Sequence, residues 1–324
     1  NSAFNTEGAD PGPKAATCQD CHMPLVDVDD QAIETRIARR EDGADFAQIP
    51  VRKRYGRHIF VGANHLMLSI FRDHRERLRP DVPAAAFAAH IKHTLRFLRD
   101  KTATLEVVSA TRSGTSVRVR LRLRNLTGHK MPASHPMRRV WLRLEVLDAA
   151  GKPLWSSGAH DAHGRILANG QLHPAEQAGG PLEPHHDRIT SPSNVQIYEV
   201  ALADAAGKHT FSLKQATASL KDNRLLPEGY DPAGPDAQHT APVGVDADDN
   251  FAAASDEIEY LVSGAGAAKT IRASVLFQAL GARFAAELFT FDTVEVRQFR
   301  QLYQDADTGP VELATATAVV KPLP

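Results

Sequence analysis

Cysteine is nearly missing from this sequence: there are two in 324 residues, both between positions 18 and 21. None is left over to staple a small fold, so a disulfide framework is excluded. Long apolar runs are missing too. None approaches the ~18 consecutive apolar residues of a spanning helix, so no membrane span is encoded. Neither charge is in excess, since 38 Lys and Arg face 39 Asp and Glu for a net charge of −1. That balance argues against nucleic acid or an anionic membrane surface as a partner. The opening residues, "NSAFNTEGAD", lack the basic and apolar regions of a signal peptide. A removed leader, or a start partway through a longer protein, is the expectation. Gly-x-Ser-x-Gly, phosphate-loop and dinucleotide fingerprints are also absent.

What is present divides the chain. At this length two domains are expected, or one large β domain with an appendage. The first 45 or so residues read as loops, rich in Gly, Pro and Asp. "NHLMLSIFRDHRERL" carries a helical stripe through Leu66, Ile70, Phe71 and Leu78. "RPDVPAAAFAAHIKHTLRFLRDK" gives a second helix, with Asp81 as candidate N-cap, Pro83 near the first turn and basic residues at its end. From Ala103 the period changes to two. Val117, Val119, Leu121 and Leu123 alternate with Arg118, Arg120, Arg122 and Arg124, which predicts a half-buried strand with a solvated arginine face. Further short strands follow between Gly, Pro, Asp and Asn loops, with one helix inserted before the last, in "ARFAAELFTFDTVEVRQFRQLYQDA". The expected fold is α+β: a loop-rich module with two helices over 1–100, then an antiparallel β-sandwich over 101–324, Ig-like or jelly-roll-like.

Both cysteines lie in "TCQDCHMP". Cys18, Cys21 and His22 make Cys-x-x-Cys-His, the attachment pattern of c-type haem. Two thiols three residues apart on one turn reach the two vinyl groups of one porphyrin edge. The next histidine then falls under the iron and supplies a proximal nitrogen. A redox dithiol would want a βαβ context, which is missing here. A zinc site would need a second ligand pair, for which His90 and His93 are the candidates.

The sixth iron position usually goes to Met or a second His. Met23 adjoins His22 and cannot reach the far face. His58, in "RYGRHIFVGANH", lies in an extended stretch with Gly62 nearby, suited to close packing of backbone on a porphyrin. His65 begins the helix that follows. His129 and Met131 sit in "NLTGHKMPASHP", in a loop after a long strand. His90, His93 and the loop pair His185 and His186 are read as inert.

These segments, with "HIFVGAN", "NLTGHKMPASHPMRRVWLRLEVLDAAGKPLWSSG", "KDNRLLPEGY" and "RASVLFQAL", resemble the C-terminal part of bacterial multihaem c-type cytochromes over most of the chain. The resemblance implies a haem-bearing helical module before a β-sandwich. It maps a distal ligand onto His58, and a second haem-environment segment onto Thr127, Gly128, His129 and Pro132. His65 falls outside the family pattern. "NSAF" resembles the end of a segment that follows earlier haem motifs, so the resemblance implies further haems upstream, with His129 a candidate ligand to one of them.

The expectation is therefore an electron-transfer cytochrome with one covalent haem c in this chain. Its iron would be held by His22 and His58, with His129 in reserve, and redox proteins or other haem domains would be its partners. Thioether haem is installed outside the cytoplasm, which implies a periplasmic or extracellular place. Two alternatives stand: an open-iron oxidoreductase acting on small nitrogen or sulfur species, and a sandwich that binds a glycan or surface partner with haem secondary. Asp246, Asp248, Asn250 and Glu257 fit positions 1, 3, 5 and 12 of a calcium loop, but Phe251 replaces the glycine of its sharp turn. His160, Asp161 and His163 are metal ligands or turn residues. Trp141 and Trp155 are expected in the core.

Overall fold

A computed structural model describes residues 2–6, 12–38, 40–42, 44–234 and 236–323. The chain forms two compact units, Phe4–Leu98 and Arg99–Pro324, the second including Asn1–Ala3.

The smaller unit is mostly irregular chain around four helices: α1 (Cys18–His22), α2 (His65–Asp73), α3 (Arg75–Leu78) and α4 (Ala84–Lys101), the last running on past Leu98. Asn64 caps α2, its Oδ1 accepting from Met67 N at 3.3 Å. The expected single helix over 64–78 is broken at His74, whose ψ of 35° leaves the helical region. At α4 the first helical bonds go to the Pro83 carbonyl, so Asp81 lies outside the helix and is not its cap. Leu66, Ile70, Ile91 and Leu98 are buried, and Phe71 stacks on Phe87 at 6.1 Å.

The larger unit is mostly antiparallel sheet. Its strands are β1 (Ala103–Ser113), β2 (Ser116–Asn125), β3 (Arg139–Leu147), β4 (Pro153–Ser157), β5 (Leu167–Ala168), β6 (Gln171–Leu172), β7 (Arg188–Ile189), β8 (Ile197–Tyr198), β9 (Val200–Ala203), β10 (His209–Thr210), β11 (Ala218–Asp222), β12 (Ser255–Val262), β13 (Thr270–Gln278), β14 (Val311–Val319) and β15 (Lys321–Pro322). One five-stranded sheet has the order β15-β1-β2-β12-β7; another has β14-β13-β3-β4, with β8 also paired to β3. β9 is flanked by β10 and β11, and β5 pairs with β6. Three helices join them: α5 (Ala237–Thr240), α6 (Ala282–Leu288) and α7 (Val294–Asp305). The last two replace the single inserted helix of the sequence reading; Thr293 caps α7 and starts it afresh.

β1 and β2 meet through a two-residue turn in which Gly114 takes φ +57°, a conformation glycine adopts without strain. Along β2, Val117, Val119, Leu121 and Leu123 are buried to within 1% of complete. β3 is covered on both faces, and its Trp141 packs with Ile166, Val195, Ile197 and Leu276. Side chains link the two larger sheets: Trp155 of β4 meets Tyr260 of β12 edge to face at 6.0 Å, and Tyr198 of β8 donates to Asp256 Oδ2 of β12 at 2.7 Å.

Candidate functional site

The Cys-x-x-Cys-His stretch forms α1, a single helical turn too short to persist without help. A capping box supplies it. Asp20 N donates to Thr17 Oγ1 (3.3 Å), and Asp20 Oδ2 accepts from Thr17 N and Oγ1 (both 2.7 Å). These bonds draw Asp20 below the usual carboxylate range. The turn presents Cys18 and Cys21 exposed and unbridged, at its two ends.

His22 is held from two sides. Its carbonyl accepts from Val61 N at 2.8 Å, and its ring Nδ1 lies 2.5 Å from Val61 O. A carbonyl can only accept, so Nδ1 carries the proton and Nε2 keeps its lone pair. That is the tautomer a metal-binding imidazole needs, with its other nitrogen donating to a carbonyl. Phe97 of α4 packs on the same ring, at 5.3 Å between centroids.

His58 sits in a turn whose ends are pinned to the last residue of the motif and to the chain just after it. Arg57 N donates to Pro24 O (3.0 Å) on one side, and Val61 pairs with His22 on the other. A Cβ at Gly56 would lie 3.3 Å from Met23 Cε, so the backbone approaches closely where glycine stands. His58 is exposed, and its ring meets Phe60 at 4.4 Å. His65 is half-buried at the start of α2. Of the pair read as inert, His90 is half-buried and His93 is only 6% exposed. His93 Nε2 is buried with no hydrogen-bond partner among the described residues. Burial lowers the pKa of both, with Arg57 adding to the effect at His93.

His129 belongs to the larger unit and is exposed after β2. Asn125 organises this loop: its Nδ2 donates to the carbonyls of His129, Leu225 and Leu226, and its Oδ1 accepts from Thr127 N and Oγ1. Met131 is 4% exposed and exchanges backbone bonds with Leu225, so its thioether is core and not a spare ligand. Lys221 and Asn223 of "KDNRLLPEGY" donate to the Ile197 carbonyl, and Asp222 pairs with Lys130 at 2.7 Å. That segment is a structural hub.

The arginine face of β2 is matched by glutamates: Glu257 of β12 with Arg120 and Arg122, Glu259 with Arg118, Glu106 with Arg122. The calcium-loop count therefore does not produce a cation site. Glu257 is turned to arginines, Asn250 Nδ2 donates to Asp187, and Asp248 points to His185. Asp161 accepts from His163 N and Arg165 N and pairs with Arg165, which settles that stretch as a turn.

One cluster escaped the sequence reading. His185, Asp248 and Asp256 each place a ligand atom within 4.8 Å of the others. Gln196 Oε1 accepts from His186 N, and Asn223 Oδ1 from Glu199 N; both amides are thereby oriented, and their NH2 groups donate to His185 Nδ1 at 2.7 and 3.0 Å. Nδ1 is an acceptor, so the proton is on Nε2, 2.8 Å from Asp248 Oδ2. A metal at Nε2 would demand the opposite tautomer. As arranged, the cluster is a carboxylate–imidazole pair with the ring proton on Nε2 shared with Asp248. Asp256 is fully buried, and desolvation, with Asp248 nearby, pushes its pKa up to about 8. Its residues come from three separated segments, and no local pattern announces them.

No protein-family model matches the chain, and no curated protein matches it. Among solved structures it is similar to the crystal structure of a penta-heme cytochrome c552 from Thermochromatium tepidum, at 17% identity and a TM-score of 0.46. The match covers 95% of this chain and 48% of that one, so the chain spans about half the length of that structure.

Proposed function

We propose that this chain is an electron-transfer c-type cytochrome whose smaller unit carries one covalent haem c. The observation that carries the reading is the contact of His22 Nδ1 with Val61 O, which makes Nδ1 the donor and puts the ring lone pair on Nε2, beside two exposed thiols on one capped turn. These residues fit the group. Cys18 and Cys21 would hold the porphyrin edge by thioethers, and His22 would supply the proximal nitrogen. When bound, haem supplies one-electron exchange between ferric and ferrous iron. The protein's part is to orient His22, provide a second ligand and limit access of water.

His58 is the proposed distal ligand, because its turn is pinned at both ends to residues 22–24. His93 is the reserve within the same unit, since its Nε2 is buried without a partner among the described residues. His129, in the larger unit, is the ligand for a haem outside this chain if further haems precede it. The larger unit we read as a β-sandwich that scaffolds or docks redox partners. Installation of thioether haem places the protein outside the cytoplasm. No described helix is long and apolar enough to cross a membrane.

Intact mass and a pyridine haemochrome spectrum test the attachment, with one thioether haem per chain expected when maturation factors are co-expressed. His58→Ala is expected to turn a low-spin spectrum high-spin. A spectrum that stays low-spin transfers the distal role to His93 or His129, and a colourless preparation ends the reading.

A further inference from the structure

We propose that Phe60 is a positioning residue, whose ring holds the imidazole of His58 in place for the haem iron. The inference rests on His58 being the distal ligand.

Phe60 has φ +45°, inside the left-handed region. There the Cβ crowds the backbone, and for a bulky residue the conformation is an outlier. Glycine adopts it without strain. Yet the two glycines of this stretch, Gly56 and Gly62, stand outside that region, and the residue within it is a phenylalanine. The chain turns here because the next residue is committed. Val61 N donates to His22 O at 2.8 Å, and Val61 O accepts from His22 Nδ1. That accounts for the turn and not for the side chain. Phe60 is 50% exposed, so burial of its ring does little to offset the strain. Strained residues of this kind cluster at functional sites.

The ring touches His58. The centroids are 4.4 Å apart and the planes 64° to each other, the edge-on arrangement of a favourable aromatic pair. Among the described residues the His58 ring makes no hydrogen bond and no ion pair, and Phe60 is its one ring contact. A metal-binding imidazole is ordinarily oriented by a hydrogen bond from its second nitrogen. His22 has that bond, to Val61 O. His58 lacks one and is exposed. Without Phe60 its ring would turn about two side-chain bonds, and ligation would have to freeze both. Phe60 therefore serves both histidines: its backbone delivers Val61 to His22, and its ring steadies His58. Packing gives direction but takes no proton, so His58 is the less basic and more readily displaced ligand of the two.

Cyanide titration of the ferric, haem-loaded full chain tests this, with the spin state read from the same spectra. Cyanide must displace the distal ligand to bind. Phe60→Leu keeps a bulky residue and loses the ring; Phe60→Gly loses the ring and relieves the backbone. Both are expected to bind cyanide at least about tenfold more tightly than the unaltered protein, with a larger high-spin share. Phe60→Tyr keeps the ring and should match the unaltered protein. In His58→Ala the ring has nothing to act on, so adding Phe60→Leu there should leave the cyanide affinity unchanged. Should Phe60→Gly fail to mature, Phe60→Leu decides. Unaltered spin state and cyanide affinity in the ring-less variants overturn the proposal. A tightening that persists in the His58→Ala background also overturns it, and makes Phe60 a cover over the iron instead. If His58→Ala stays low-spin, the distal assignment and this inference fall together. If His58→Ala turns high-spin while Phe60→Leu changes nothing, this inference alone falls.

Discussion

Single atoms decide the chemistry at the residue scale. His22 and His185 are the same side chain held in opposite tautomers: Nδ1 of His22 donates to a carbonyl, whereas two oriented amides donate to Nδ1 of His185. Only the first puts the lone pair on Nε2, the nitrogen a metal would need there. The second ties its proton to Asp248 and leaves Asp256 buried, holding a proton up to about pH 8. The groups facing Asp256 are Tyr198, Asp248, Asp187, Gln196, His185 and Tyr260. The consequence for stability has a definite sign. Asp256 has a raised pKa, so between the ordinary aspartate value of 3.8 and about 8 the folded state keeps a proton that the unfolded state releases. Its contribution therefore falls as pH rises through that window, by at most about 1.4 kcal/mol per pH unit, and levels off above it. Asp256→Asn should remove this fall. Urea melts of both proteins between about pH 6 and pH 9 measure the difference, and parallel pH profiles would show that Asp256 is ionised in the fold.

Elements show how one alternating pattern serves two ends. On β2 the apolar residues enter the core and the arginines face glutamates of β1 and β12. The cost of a change should follow the face. Leu121→Ala, at a fully buried position, is expected to cost about 3 kcal/mol by transfer and cavity terms together. Arg124→Ala, on the exposed face, should stay within about 0.5 kcal/mol. Chemical denaturation of the two variants checks this, and similar losses for both would contradict the facing. Period-two alternation was readable in the sequence because each strand residue answers only to its own side of the sheet. The break at His74 and the split between α6 and α7 were not, since helix ends turn on caps and backbone angles more than on apolar spacing.

Each of the two units in the whole molecule has buried side chains of its own. The larger one is therefore expected to fold alone. A fragment starting at Arg99 loses the ties to the first residues, among them the bond from Ala3 N to Glu228 O at 2.6 Å, and should still unfold in one cooperative transition. Near-ultraviolet circular dichroism and a urea melt of that fragment test it; a collapsed fragment without fixed tertiary signal would refute it. By itself the sequence determined what is local: a pair of thiols with an adjacent imidazole, the strand alternation and the general α+β order, because these depend on spacing along the chain. Tertiary structure alone decided which nitrogen of His22 and of His185 carries the ring proton, and that Asp256 is buried with its pKa raised. Those outcomes depend on burial and on partners brought from distant segments, and no periodicity in the sequence records them.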